Sequence, residues 1–292
     1  MDEILQQSML TNLFEAYEAT TPVADQIATR VQSKGASEDY GWIGQVPGLR
    51  KMLGERVPEE LKAYKYSLPN EEYEASVKVL RKDIKDDATG KYLVQAQSIG
   101  ESVKEYPDEV IFGTLLPAGA TTLCYDGQYF FDTDHPIGDT GAVQSNKLTL
   151  PLTADNFATA RLTLRKLQGD KGKLVNKTLD LKLVVPVELE ATARQIVEQE
   201  KVVVGGVGVD NPNYKGAEVV VSPELTSATN WYLINAHGAV KAFIIQEREF
   251  IPFEALAEGS EKAFWNKVFY YGTYWRGAFG YGLYHKAVGS FA

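Results

Sequence analysis

Hydrophobic residues at the start of the chain recur at helical spacing. Leu5, Met9, Leu13 and Tyr17 fall four apart, with Leu10 and Phe14 beside them. One face of a helix over residues 2–19 collects them, with Asp2 as N-cap and Thr20, Thr21 and Pro22 as the stop. The polar segment 33–39 then reads as a connector, which makes the helix part of an arm ahead of the main body. From residue 60 to 85 the period changes to two. Tyr64, Tyr66 and Leu68 alternate with Lys65 and Ser67, and Tyr73, Ala75, Val77 and Val79 alternate with Glu74, Ser76 and Lys78. Leu68, Pro69 and Asn70 lie between the two runs, so the pattern predicts a long antiparallel hairpin. Such a ribbon is marginally stable by itself and needs a surface to lie on.

Helical spacing returns after Asp86 and Asp87, where Leu93, Ala96, Ile99, Val103 and Tyr106 predict a long helix with a kink or restart at Pro107. Residues 124–139 read as strand and turn. A second helix is predicted after Thr153 with Phe157, Ala160, Leu164 and Leu167 on one face, and a third over 186–200 with Leu189, Ala193, Ile196 and Val197. Strands are predicted at 181–186, 218–222 and 231–235. Ten of the 32 aromatic residues crowd into 264–284. At period two they place Phe269, Tyr271, Thr273, Trp275, Gly277, Phe279, Tyr281 and Leu283 on one face and Gly272, Ala278, Gly280 and Gly282 on the other. That predicts a long strand packed on a core, with close backbone approach on its bare side. Helices and strands mix without a regular βαβ repeat, so the fold class is α+β.

Composition narrows the function classes. A chain of 292 residues, 44% apolar and 24% charged, is long enough for one large core or two moderate ones. A single cysteine, Cys124, excludes an internal disulfide. No basic stretch precedes an apolar run, since the first Lys or Arg is Arg30, so the expectation is a soluble protein made in a reducing compartment. No run approaches the roughly 18 apolar residues of a membrane span. The net charge of −9 disfavours tight wrapping on nucleic acid or on an anionic membrane.

Candidate chemistry is sparse. Asp126, Asp132, Asp134 and His135 form the chain's acidic-plus-histidine cluster, a donor set suited to a divalent ion and to hydrolysis. Its spacing matches no two-histidine metallohydrolase signature, and aspartates in turns ordinarily cap backbone N–H groups, which is the favoured reading. The run Val202–Val209 resembles a dinucleotide fingerprint, but Asn211 stands where the third glycine belongs and Pro212 blocks the receiving helix; a glycine hairpin is favoured. Cys124 sits in an apolar-aromatic run and reads as an inert core thiol. No serine elbow or phosphate loop is present. The expectation is no catalytic residue, no bound metal and no cofactor. Lys78, Arg81, Lys82 and Lys85 divide between both faces of the predicted hairpin and make a charged rim.

Four segments, Tyr40–Arg56 (YGWIGQVPGLRKMLGER), Arg81–Asp87 (RKDIKDD), Cys124–Pro136 (CYDGQYFFDTDHP) and Trp275–Gly282 (WRGAFGYG), resemble the major head subunit of Mu-like bacteriophages and prophages. The likeness runs in order over most of the chain. It implies the Hong Kong 97 phage capsid fold, and each predicted piece then has a place. Residues 1–59 are the N-terminal arm and connector, and 60–85 are the extended loop. Residues 86–180 and 245–292 form a peripheral domain with a spine helix, and 181–244 form an axial domain. The implied protein is a structural subunit in pentamers and hexamers of an icosahedral shell, enclosing double-stranded DNA without reading its sequence. It implies a scaffold or protease, a portal and decoration proteins as partners, assembly in the host cytoplasm and residence in the virion. Subunit contacts are expected on the extended loop at Tyr64, Tyr66, Leu68, Tyr73, Lys78 and Arg81, and deletion of 62–82 is expected to spare folding. The rivals are a nanocompartment shell of the same fold and a metal-dependent hydrolase built on the Asp126–His135 cluster.

Overall fold

The computed structural model describes residues 2–40, 66–85, 90–138, 140–204, 206–256 and 259–292. In chain order, the first half supplies α1 (Asp2–Ala19), β1 (Ala28–Gln32), β2 (Ser37–Asp39), β3 (Ser67–Pro69), β4 (Glu71–Leu80), α2 (Lys91–Val110) and β5 (Lys147–Leu148). There follow α3 (Ala154–Lys166), β6 (Leu181–Val185), α4 (Glu190–Val197), β7 (Lys201–Val204), β8 (Val207–Asp210), β9 (Glu218–Val221) and β10 (Trp231–Asn235). The chain closes with β11 (Phe243–Leu256), α5 (Glu261–Asn266), β12 (Val268–Tyr281) and β13 (Ala287–Ser290).

Two sheets organise these elements. The first has the order β1-β11-β12-β4, with β1 parallel to β11 and the other pairs antiparallel. The second has the order β9-β6-β10-β13-β5. Its strands β6 (LKLVV) and β10 (WYLIN) are buried at every position, as a strand covered on both faces must be. Phe157, Ala160 and Leu164 of α3 and Ala193, Ile196 and Val197 of α4 cover one face; Phe131, Val184, Tyr232 and Ile234 belong to the larger core on the other. The exceptions to apolarity are Lys182, whose Nζ reaches Glu218 at 2.5 Å, and Asn235, whose Nδ2 donates to Asn176 Oδ1 at 2.9 Å. The α3 helix starts as predicted, with Thr153 Oγ1 accepting from the Asn156 N–H at 3.2 Å.

The aromatic stretch forms β12, the centre of the first sheet's long hairpin. Phe269 and Tyr271 are buried against α1 and α2. On the bare side Gly280 lies under Leu68, whose side chain a Cβ would meet at 2.5 Å. At Gly277 a Cβ would run into the Gln246 carbonyl oxygen of the neighbouring strand and the Trp275 ring. Gly277→Ala is therefore expected to destabilise the subunit by about 1–3 kcal/mol, because the β11–β12 pairing has to shift to admit one methyl. Urea unfolding of the variant checks this; an unchanged midpoint would contradict the close approach.

Several expectations need correction. Residues 67–80 do not fold back as a hairpin: β3 pairs with β2, and β4 pairs with β12 over ten positions. Alternation gave strands but could not give partners, and Leu68-Pro69-Asn70 lacks the Asn-Gly or Gly-X chemistry of a tight hairpin turn. Because β4 is a full strand of the main sheet with Val79 buried, deletion of 62–82 removes core and not a dispensable ribbon. Helix α1 lies on α2, crossing so closely at Gly100 that a Cβ there would strike the Leu13 backbone, with Gln97 Nε2 donating to Asn12 Oδ1 at 2.9 Å. The long helix passes through Pro107, and the irregularity falls four residues later as a wide π-turn over Ile111–Leu115. Finally, β13 joins the second sheet between β10 and β5, so residues 287–290 pair with 231–234 and 147–148 and not with the first sheet. The run Val202–Val209 is a hairpin, as favoured.

Candidate functional site

Local turn chemistry builds the centre of the Asp126 cluster. Asp126 Oδ1 accepts from the Gln128 N–H at 3.1 Å and from the Cys124 thiol at 3.0 Å, and Gly127 at φ +86° turns the chain. Its Oδ2 stands 2.7 Å from His135 Nδ1, and the imidazole is fully buried. His135 Nε2 is 3.2 Å from Asn146 Oδ1, while Asn146 Nδ2 donates to the carbonyls of Phe130, Tyr284 and Ala287. That fixes the amide so that both ring nitrogens face acceptors. Tyr284 stacks on His135 at 3.7 Å and on His285 at 3.9 Å. His285 Nε2–H donates to the Gln168 carbonyl at 2.9 Å, which leaves Nδ1 as acceptor for Tyr125 Oη at 3.3 Å.

The electrostatics follow from burial. Burial alone would raise the Asp126 carboxyl, but the His135 hydrogen bond and charge, with those from Cys124 and Gln128, outweigh it and hold the group below the usual carboxylate range. Burial and the neighbouring Asp126 charge push the Cys124 thiol far up, so it is a hydrogen-bond donor and not a nucleophile. Burial pushes His285 down to about 3, so the ring is neutral.

Cys124 Sγ, Asp126 and His135 Nδ1 lie within 4.8 Å of one another and form a possible chelating set. Cys124 and His135 are both already bonded to Asp126, and the two histidines tie the 124–146 loop to the C-terminal segment. Asp132 and Asp134 stand apart: the Asp132 carboxylate accepts from the Tyr129 and Thr133 N–H groups, and Asp134 is exposed. The four-residue site read from sequence therefore divides into a buried Asp126–His135 strut, a turn-capping Asp132 and an exposed Asp134. Asn146, Tyr284 and His285 were missed because they lie 11 to 160 positions away and belong to no spacing pattern.

The expected contact residues are also distributed. Tyr64 lies outside the described residues. The Tyr66 hydroxyl accepts from the Tyr281 N–H at 2.9 Å, and Leu68 packs against the main core. Tyr73 meets Trp275 and Tyr106 as tilted ring pairs at 5.1 and 5.4 Å. Lys78 is exposed on β4, and Arg81 follows it with its N–H bonded to the Lys267 carbonyl. Elsewhere, among the described residues, the β7–β8 hairpin pairs only with itself and exposes Val203, Val207 and Val209 by 77, 64 and 41%. Among the described residues nothing covers those valines, and an isolated apolar ribbon of this kind marks a contact surface. No helix among the described residues is long and apolar enough to cross a membrane.

Comparison with known proteins bears on what such surfaces serve. A Mu-like prophage FluMu major head subunit from Haemophilus influenzae is 30% identical over 265 residues, 90% of this chain. The major capsid protein of Escherichia phage Mu is 42% identical over 113 residues, 39% of this chain. The chain spans 64% of the length of the first of these relatives and 37% of the second. The procapsid subunit of bacteriophage JBD30 superposes with a TM-score of 0.63 at 27% identity, covering 99% of this chain and 74% of that one. The fold is thus the Hong Kong 97-like capsid fold. The family described as Mu-like prophage major head subunit gpT matches residues 3–149, 142–225 and 224–292, and the chain belongs to that family.

Proposed function

We propose that this chain is the shell-forming subunit of a Mu-like phage or prophage head. The observation that carries the reading is the family match along nearly the whole chain. Copies associate as pentamers and hexamers into an icosahedral wall around double-stranded DNA, assembled in the host cytoplasm with a scaffold or protease, a portal and decoration proteins. Relatives at 30 and 42% identity are phage head proteins, which favours a head over a nanocompartment shell. A net charge of −9 suits a wall that confines DNA without gripping it. The Asp126 network serves stability in this reading and no hydrolysis.

The domain plan changes with the topology. Of the 60–85 extended loop read from sequence, 60–65 lie outside the described residues, and 67–69 and 71–80 are the strands β3 and β4. The peripheral domain holds α1, α2 and the first sheet, and the axial domain holds the second sheet with α3, α4 and the C-terminal strand. Valines 203, 207 and 209 belong to contacts between copies. Sedimentation velocity across a range of concentration and salt tests the reading. Species at five and six times the 32.3 kDa subunit mass, or larger closed particles, are expected. A single 32.3 kDa species under every condition contradicts it.

A further inference from the structure

We propose that the Phe264–Trp265 pair of α5 is a knob that inserts into an aromatic cavity on a second copy of this chain. The inference rests on the shell reading and names one of its contacts. Of the six residues of α5 only Ala263 is buried, under the Ser260 cap. Phe264 and Trp265 are exposed by 74 and 71% and meet edge to face at 5.0 Å, so they protrude as one apolar unit. Two large adjacent aromatics in water are the anchor type that protein interfaces favour.

A socket of matching chemistry lies elsewhere on the same subunit. A cavity of about 380 Å³ opens between α1, α2 and the first sheet. Half-buried Tyr73, Tyr106, Trp275 and Phe279 wall it, with ring centroids 5.1 to 6.2 Å apart, and Tyr17 stacked on Phe250 closes one end. A cavity of roughly 150 Å³ already admits benzene, so two rings fit here. Charge agrees as well. Glu72 and Glu74 line the cavity and are exposed, and Lys262 and Lys267 flank the knob. The cavity's own cations are engaged: Arg30 pairs with Asp25 at 2.7 Å, and Lys104 sits over Tyr17 at 4.3 Å.

The knob cannot fill its own socket. Helix α5 is tethered to Val268 at the start of β12, and Trp275 lies seven residues further along that strand, about 23 Å away. The occupant therefore comes from another molecule. Because knob and socket are different patches, the contact is head to tail, the class that closes into rings when the rotation permits.

The test mixes Trp265→Cys chains with Ala75→Cys chains, Ala75 lining the socket, and oxidises the assembled particles. Native Cys124 is buried and serves as background in both. Disulfide-linked dimers are expected from the mixture and not from either variant alone. In parallel, the double variant Phe264→Ala, Trp265→Ala is expected to keep the wild-type unfolding midpoint while needing about tenfold higher concentration to assemble. Particles that form without the crosslink, or a double variant that assembles at the wild-type concentration, overturn the knob-and-socket contact and leave the shell reading standing. Failure of the wild-type chain to form any oligomer overturns both.

Discussion

Asp126→Ala is expected to cost the subunit about 3–5 kcal/mol of unfolding free energy, because a buried carboxylate is lost and each donor it leaves unsatisfied costs roughly 1–3 kcal/mol. The side chain is 2% exposed and its partner His135 is wholly enclosed, so water cannot replace the lost acceptor. Truncation strands three donors at once: His135 Nδ1, the Cys124 thiol and the Gln128 N–H. Asp126→Asn should cost less, because the amide oxygen still accepts one of them. Chemical denaturation of the unassembled chain measures both. A loss below about 1 kcal/mol in Asp126→Ala would mean the network is not a strut, since that is the scale of a single exposed ion pair. The folded carboxyl is held below its ordinary value, so this stabilisation is complete above the unfolded carboxylate range. It is lost as pH falls through the lower folded value.

Acid is expected to weaken the fold well before the carboxylates titrate, through His285. Its ring is held at about 3 by burial, while an unfolded histidine titrates near 6.5. Above pH 6.5 neither state binds the proton and the group is neutral in the balance. Below it the unfolded chain takes the proton and the folded chain refuses it, so stability falls by about 1.4 kcal/mol per pH unit until the folded value is reached. The loss attributable to His285 at pH 5 is about 2 kcal/mol. Protonation in the folded state would put a second N–H where Tyr125 Oη needs an acceptor. His285→Gln should lower stability at neutral pH yet flatten the slope between pH 6.5 and 5. Equal slopes in wild type and variant would contradict the assignment.

The parts of the fold legible in the sequence were those set by local periodicity. Thr153 as a cap, the buried run at Leu181–Val185, the Trp231–Asn235 strand and the two-faced aromatic strand all declared themselves through spacing. Pairing did not. Tyr66, Leu68 and Tyr73 alternate as strand residues wherever their partners lie, and only the neighbouring chain decides that Ser67–Pro69 joins Ser37–Asp39 while Glu71–Leu80 joins Val268–Tyr281. The same limit governs the polar core. Asp126 and His135 are nine positions apart and could be suspected, but Asn146, Tyr284 and His285 reach the cluster through tertiary packing. Exposure was equally hidden: the glycine hairpin over Val202–Val209 and the aromatic-rich window starting at Phe264 were legible, but not that Val203, Val207, Val209, Phe264 and Trp265 stand in solvent.

The central claim is that this chain builds a shell, and cryo-electron microscopy of the purified chain at high concentration tests it most directly. The account predicts closed particles, tubes or rings with five or six subunits around their axes, in which the Val203–Val209 hairpins of adjacent copies meet. Compact, separate subunits at every concentration and salt, with those valines facing solvent, would contradict it.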